Sequence, residues 1–180
     1  MVYVFLAEGF EEIEALTPVD VLRRGGIEVK TVGIGSKTVL GAHNIPVVCD
    51  LEESEAVLDS NLEGIVLPGG MPGTLNLEKS NVVDAAINYA VENNLLVSAI
   101  CAAPSILGHK ELLKDKCATC YPGFEKELIG ADLKNEPVVR CENIITACGA
   151  GVALDFAFEL LRYFKGNKAV EQLKQAMCFN

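Results

Sequence analysis

The sequence contains no tryptophan, only two histidines, few basic residues and no long apolar run. With 15 Lys and Arg against 25 Asp and Glu, the net charge is −10, so we expect no basic face for binding nucleic acid. No apolar run approaches the roughly 20 residues that a helix needs to cross a bilayer. The apolar start lacks a positively charged leading region, which predicts a first strand and not a signal peptide. We therefore expect a cytoplasmic protein without nucleic-acid or membrane partners.

The scarcity of histidine limits the choice of a general base. His109 follows Cys101 by eight positions, about 12 Å along a helix, which is too far for proton transfer between them. His43 lies in an irregular region and stays open as a candidate. A Cys–His dyad of the protease type therefore has no support from the sequence.

What the chain does have is an ordinary globular composition. Its 180 residues, half of them apolar, suit a single domain over residues 1–180 with a full core. Short apolar runs alternate with helical patterns, which predicts an α/β fold with a mostly parallel sheet and helices on both faces. The pattern predicts strands at 2–6, 27–32, 64–67, 95–100, 116–120, 138–141 and 144–147, a hairpin-like excursion at 38–48, and helices at 11–24, 52–58, 81–93, 102–113 and 151–164, with a terminal amphipathic helix after them.

Seven cysteines are many for a chain of this length. The odd number and wide spacing indicate free thiols in a reducing compartment. Cys117 and Cys120 form a lone C-x-x-C on a predicted strand, where positions three apart face opposite sides. That spacing argues against a chelate, so we expect no metal site there and no cofactor.

Cys101 is the cysteine with a local pattern suited to chemistry. It follows a fully apolar strand and precedes a helix, with the small residues Ala99 and Ala103 two positions away on either side. A nucleophile on a tight strand-to-helix turn needs small neighbours at these positions. The helix start also favours a thiolate. A buried core cysteine is the alternative interpretation.

Two other places follow predicted strands, where ligand sites of open α/β sheets lie. Gly69 and Gly70 end one strand, and glycines there let backbone N–H groups approach an anion, although an ordinary turn has the same pattern. Glu11, Glu12 and Glu14 begin the first helix. The helix dipole alone favours acidic residues there, so position does not assign a role to Glu14.

Five segments together resemble the DJ-1/ThiJ/PfpI superfamily, and most closely its Parkinsonism-associated deglycase branch. The resemblance covers essentially the whole chain. It implies a flavodoxin-like three-layer sandwich that is usually a homodimer. The matching segments are residues 7–15, 18–26, 66–73, 99–104 and 146–151.

The resemblance also implies roles for residues in the matching motifs. Cys101 corresponds to the reactive cysteine of the superfamily and Glu14 to its partner acid. The backbone N–H groups of Gly70 and Ala102 line an anion pocket, and Gly69 shapes the turn.

This sequence departs from the superfamily at two positions. Tyr121 stands where many members have a histidine, which leaves its hydroxyl as a hydrogen-bond donor to the site. Cys148 stands where relatives often carry a polar or basic residue. These changes weaken a His-assisted mechanism and recognition of strongly anionic substrates.

The function implied is cysteine-dependent deglycase or glyoxalase chemistry on small carbonyl or glycated substrates derived from methylglyoxal or glyoxal. The Cys101 thiolate attacks the carbonyl, and Glu14 relays protons, with the two groups titrating as a pair. The alternative is an oxidative-stress sensor or chaperone acting through a sulfinate at Cys101. A cysteine peptidase or amidase is the third candidate.

Overall fold

The computed structural model describes residues 1–179. The strands are β1 (Val2–Leu6), β2 (Val29–Gly33), β3 (Thr38–Leu40), β4 (Pro46–Val48), β5 (Leu51–Glu52), β6 (Gly64–Leu67), β7 (Leu96–Ile100), β8 (Cys117–Ala118), β9 (Asp132–Leu133), β10 (Val138–Cys141) and β11 (Ile144–Ala147). The α-helices are α1 (Glu12–Arg24), α2 (Gly73–Glu78), α3 (Asn81–Glu92), α4 (Pro104–His109) and α5 (Ala153–Ala176). Among these described residues, no helix is long and apolar enough to span a bilayer.

Seven of the described strands form one sheet in the order β10-β11-β7-β6-β1-β2-β5. All neighbours run parallel except β10, which pairs antiparallel with β11. The chain moves from β1 to β2 on one side and later from β6 to β7 on the other. The strand order therefore reverses between β1 and β6, which is where open α/β sheets form their ligand crevice.

Two apolar layers cover the two faces of the sheet, because alternate residues of a strand point to opposite sides. In β1, Val2, Val4 and Leu6 belong to the layer that contains α1 and α5. Tyr3 and Phe5 belong to the layer that contains α3 and α4. The result is the three-layer, flavodoxin-like α/β sandwich expected from the sequence.

Several predicted elements differ from the observed ones because their ends depend on local turns. The helix predicted at 52–58 is a strand end followed by one 3-10 turn at Glu53–Glu55. The helix predicted at 102–113 covers only Pro104–His109, and α2 was not predicted. The last two predicted helices form α5, which Gly166 interrupts with a φ of 76°.

Candidate active site

The candidate active site lies at the carboxyl ends of β1, β6 and β7, beside the point where the strand order reverses. The first turn of α1 supplies Glu14, the turn after β6 supplies Gly69 and Gly70, and the turn after β7 supplies Cys101. The three segments that supply them are distant in sequence. Parallel pairing places their strand ends at the same edge of the sheet.

Cys101 occupies a strained backbone conformation, with a φ of 65°. A non-glycine residue rarely adopts this left-handed region, and such strain concentrates at functional turns. Two hydrogen bonds hold the turn: the N–H of Cys101 donates to the Ala147 carbonyl (2.8 Å), and its carbonyl accepts from the Tyr121 N–H (2.8 Å). The thiol is partly exposed. The turn therefore presents a fixed and accessible sulfur.

Gly69 lies between the two reactive side chains. A Cβ atom at this position would stand 2.6 Å from Glu14 Oε2 and 2.8 Å from Cys101 Cβ, so a side chain has no room. Gly70 has a φ of 92°, and a Cβ there would lie 2.4 Å from the Glu11 nitrogen. Both positions need glycine because the chain passes too close to its neighbours.

Glu14 is fully buried and aimed at the sulfur. Its Oε2 accepts a hydrogen bond from the Gly69 N–H at 2.9 Å, and the carboxyl lies close enough to the Cys101 thiol for each group to shift the pKa of the other. Among the described residues, Oε1 has no hydrogen-bond partner. A buried carboxyl with one oxygen so poorly satisfied is best accommodated in its neutral form.

The electrostatics of the site couple the carboxyl to the thiol. Burial raises the pKa of Glu14 to about 7, against the hydrogen bonds from Cys101 and Gly69. Burial, and then the charge of an ionised Glu14, raise the pKa of the Cys101 thiol to about 12, and the N–H groups of Ala102 and Gly70 oppose this rise. The pair therefore titrates as one unit. A thiolate at Cys101 is favoured beside a protonated Glu14, because two adjacent buried charges repel each other.

The Tyr121 side chain does not bind the sulfur through any hydrogen bond in the described part of the chain. Its backbone N–H supports the Cys101 carbonyl, while its ring is half exposed and packs edge-on against Phe124. The role of Tyr121 as a side-chain donor stays a prediction. In the structure, Tyr121 contacts the turn through its backbone N–H, which helps to position Cys101.

Neither histidine contacts Cys101. The His43 ring nitrogen Nδ1 lies 2.8 Å from Glu12 Oε2 and 3.4 Å from Glu11 Oε2, and His109 is held between Glu78 and Glu127. Among residues 1–179, only Glu11, Glu12 and His43 are close enough to share a metal ion. His43 already satisfies both Glu12 oxygens through its backbone N–H and its ring.

Three further cysteines, Cys49, Cys120 and Cys148, form no hydrogen bond with Cys101 or Glu14 in the described part of the chain. Cys49 is buried beside Gly33, and burial raises the pKa of its thiol to about 11. Cys120 and Cys148 line a cavity of about 470 Å³ whose lining does not include Cys101. Nothing in the described contacts makes them partners of Cys101.

The sequence reasoning missed the part that β11 plays in the site. The Ala147 carbonyl holds the Cys101 backbone, and Thr146 Oγ1 accepts from the Thr119 N–H at 2.9 Å, which fixes the segment leading to Tyr121. Residues 146–151 matched the superfamily, but their position beside β7 is not visible from local pattern. The match to the superfamily was the sequence signal that could have pointed to a role for β11 in the site.

The fold and the site define a flavodoxin-like α/β protein with a strained cysteine at a strand-to-helix turn and a buried glutamate beside it. The sequence pattern of the DJ-1/PfpI family matches residues 1–163. The chain belongs to the DJ-1/PfpI family.

The chain is similar to relatives over nearly its whole length. It is 30% identical to Protein dj-1beta of Drosophila melanogaster, covering 97% of this chain and 94% of that protein. It is 28% identical to the glutathione-independent glyoxalase DJR-1.2 of Caenorhabditis elegans, covering 95% and 91%. The solved structure of oxidized Toxoplasma gondii DJ-1 superposes with a TM-score of 0.93 at 28% identity, covering 99% and 97%.

Proposed function

We propose that the protein is a cysteine-dependent glyoxalase or deglycase that converts small dicarbonyl compounds such as methylglyoxal to hydroxy acids. The observation that carries the proposal is the fully buried Glu14 carboxyl beside the strained Cys101 turn, with only Gly69 between them. A relative named as a glutathione-independent glyoxalase supports the same chemistry.

The site accounts for each step of this reaction. The Cys101 thiolate attacks the aldehyde carbon, and the proton held by Glu14 passes to the carbonyl oxygen, which gives a hemithioacetal. The Gly70 and Ala102 N–H groups, which face the sulfur, are placed to stabilise the developing oxyanion. The Glu14 carboxylate then removes the hydrogen of the attacked carbon as a proton and returns it to the adjacent carbon, while the hydroxyl proton moves to the oxygen of that adjacent carbon, forming a thioester. Water hydrolyses the thioester, releasing lactate and restoring the thiol.

Incubation with methylglyoxal followed by a lactate assay tests the proposal. We expect turnover in the wild type, none in Cys101→Ser, and a loss of about 10²-fold or more in Glu14→Ala, because proton transfer supplies factors of this size. Cys178→Ser, which changes an exposed thiol, is the matched control and keeps activity. Lactate production that survives in Cys101→Ser would contradict the mechanism.

A second candidate function is redox sensing through a Cys101 sulfinate. It is favoured by the same N–H groups and by the neutral Glu14, which can donate to a sulfinate oxygen. Quantitative sulfinate formation without any lactate production would support the sensor. The peptidase or amidase candidate lacks a base, because both histidines are paired with glutamates away from Cys101.

We also propose that a second copy of the chain covers one apolar face, giving the homodimer implied by the family. The β3–β4 hairpin lies against the start of α1, where the Ala42 N–H donates to the Phe10 carbonyl at 2.8 Å. Large apolar side chains remain exposed on these two neighbouring elements. They are Ile13, Leu16, Leu40, Ile45 and Val48.

Sedimentation velocity tests this dimer. Val48 is 71% exposed in the single chain, so Val48→Asp is expected to weaken association at least about tenfold, because a charge buried at an interface costs more than 1.4 kcal/mol. Val57→Asp changes an exposed valine on a different part of the surface and should leave association unchanged. A wild type that sediments as a monomer at all concentrations contradicts the proposal.

A further inference from the structure

Cys117 and Cys141 lie where β8 meets β10, at the opposite end of the sheet from Cys101. Cys117 begins the short strand β8, and Cys141 ends β10. The Cys117 thiol donates a hydrogen bond to the carbonyl oxygen of Arg140, the residue before Cys141, at 3.8 Å. The Cys141 thiol is also close enough to raise the pKa of Cys117. The first cysteine of the C-x-x-C therefore lies beside a cysteine 24 positions away in the sequence.

The two strands are held together at this point by their next residues. Lys116 Nζ lies 2.5 Å from Glu142 Oε2, so an ion pair between residues adjacent to each cysteine flanks the thiol pair. β8 also pairs with β9, where Cys117 is the register partner of Asp132. These contacts hold Cys117 against the end of β10 that carries Cys141. Both thiols are partly exposed, so small oxidants can reach them.

The surroundings favour redox chemistry at this pair over metal binding. Burial and the neighbouring Cys141 thiol raise the pKa of the Cys117 thiol, and the Lys134 ammonium opposes this rise. The positive charges of Lys116 and Lys134 near these sulfurs disfavour a metal cation. Two thiols also supply only half of the four ligands of a tetrahedral zinc site, and among residues 1–179 no clustered set of three ligands includes either cysteine.

We propose that Cys117 and Cys141 form a reversible disulfide when the protein reacts with a peroxide. The peroxide oxidises one thiol to a sulfenic acid, and the oxygen–oxygen bond breaks with release of one water or alcohol. The neighbouring thiol then attacks the sulfenic sulfur, forming the sulfur–sulfur bond and releasing a water. Two thiols and one peroxide are consumed. An external dithiol restores both thiols by exchange.

The disulfide would link the two ends of a segment that reaches the active site. Between Cys117 and Cys141 the chain carries Tyr121, whose N–H supports the Cys101 carbonyl. The same segment lines much of the 470 Å³ cavity that also contains Cys148. Closing the segment covalently restricts its movement, because a cross-link removes conformations that the open chain can reach.

The test is treatment of the full-length protein with hydrogen peroxide, trapping of free thiols with N-ethylmaleimide, and non-reducing tryptic mass spectrometry. Cleavage after lysine and arginine gives peptide 117–126, with Cys117 and Cys120, and peptide 141–162, with Cys141 and Cys148. We expect these two peptides to be cross-linked, and fragmentation within the cross-linked species to place the bond between Cys117 and Cys141. Dithiothreitol should release them.

Four serine variants identify the bond without relying on fragmentation. The cross-link should be lost in Cys117→Ser and in Cys141→Ser, and should persist in the matched controls Cys120→Ser and Cys148→Ser. A cross-link that disappears only in the control variants would overturn the proposal by assigning the bond to Cys120 and Cys148. Recovery of both peptides as N-ethylmaleimide adducts after peroxide treatment of the wild type would also overturn it.

Discussion

Replacing Glu14 with glutamine is expected to abolish methylglyoxal turnover while leaving Cys101 open to alkylation. Glutamine keeps the shape of the neutral acid and its donor to the sulfur, but it cannot accept or release a proton. Turnover should therefore fall by about 10² to 10⁴-fold, the usual contribution of general acid–base catalysis. Parallel assays of lactate production and iodoacetamide labelling of Cys101 measure the two effects.

The pH profile of Cys101 alkylation tests how the ionisation of Glu14 affects the reactivity of the Cys101 thiol. In the wild type the pair loses its first proton near the Glu14 pKa of about 7, so labelling of Cys101 should rise through this pH as the thiolate–acid form appears. In Glu14→Gln this inflection near pH 7 should vanish, because the group that releases the proton is gone. The thiol then titrates alone, and its pKa falls below about 12 because the opposing charge of Glu14 is absent.

Glu12→Gln is the matched control for this experiment. Glu12 is also a buried glutamate of α1, but it binds His43 and not Cys101. Its replacement should leave the inflection near pH 7 in place. An unchanged profile in Glu14→Gln would mean that the carboxyl does not share a proton with the thiol.

Gly69→Ala is expected to disturb the contact between Glu14 and Cys101 directly. The new Cβ would meet Glu14 Oε2 at 2.6 Å and Cys101 Cβ at 2.8 Å, so it must push the acid and the thiol apart. Displacement of a reacting group by about 1 Å costs roughly 10²-fold in rate. We expect a loss of at least this size in lactate production, together with a shift of the alkylation inflection away from pH 7.

Gly151→Ala separates this effect from the general cost of removing a glycine. A Cβ at Gly151 meets no atom within 4 Å, so that variant should keep wild-type turnover. Circular dichroism of both variants checks that they remain folded. Full activity in folded Gly69→Ala would show that the distance between Glu14 and Cys101 does not limit the reaction.

Much of the fold was predictable because its signals are local. The alternation of short apolar runs with helical patterns identified β1, β6, β7 and the β10–β11 hairpin, all of which the structure confirms. Elements with weak periodicity were predicted less well. The segment after β5 forms only one 3-10 turn, and α2 is too short to produce a helical pattern.

Prediction of the candidate site from the sequence depended on two kinds of information, local pattern and resemblance to a family. The turn at Cys101 could be predicted because small neighbours, an apolar strand and a following helix are adjacent in the sequence. The role of Glu14 could be expected only from resemblance, because the dipole of α1 favours an acidic residue there for structural reasons alone. Its contact with Cys101 spans 87 positions, and no local spacing encodes such a contact.

The sequence by itself determined the α/β class and the strand-to-helix turn that carries Cys101, since side-chain period and turn chemistry act over a few residues. Only the tertiary structure decided which residues meet. The order of strands in the sheet brings Glu14 and Gly69 to Cys101. The tertiary structure also places His43 against Glu12, and Cys117 beside Arg140, the residue before Cys141. The physical reason is that strand order depends on how the apolar faces of the sheet and the helices pack together. No single segment of the sequence specifies that packing.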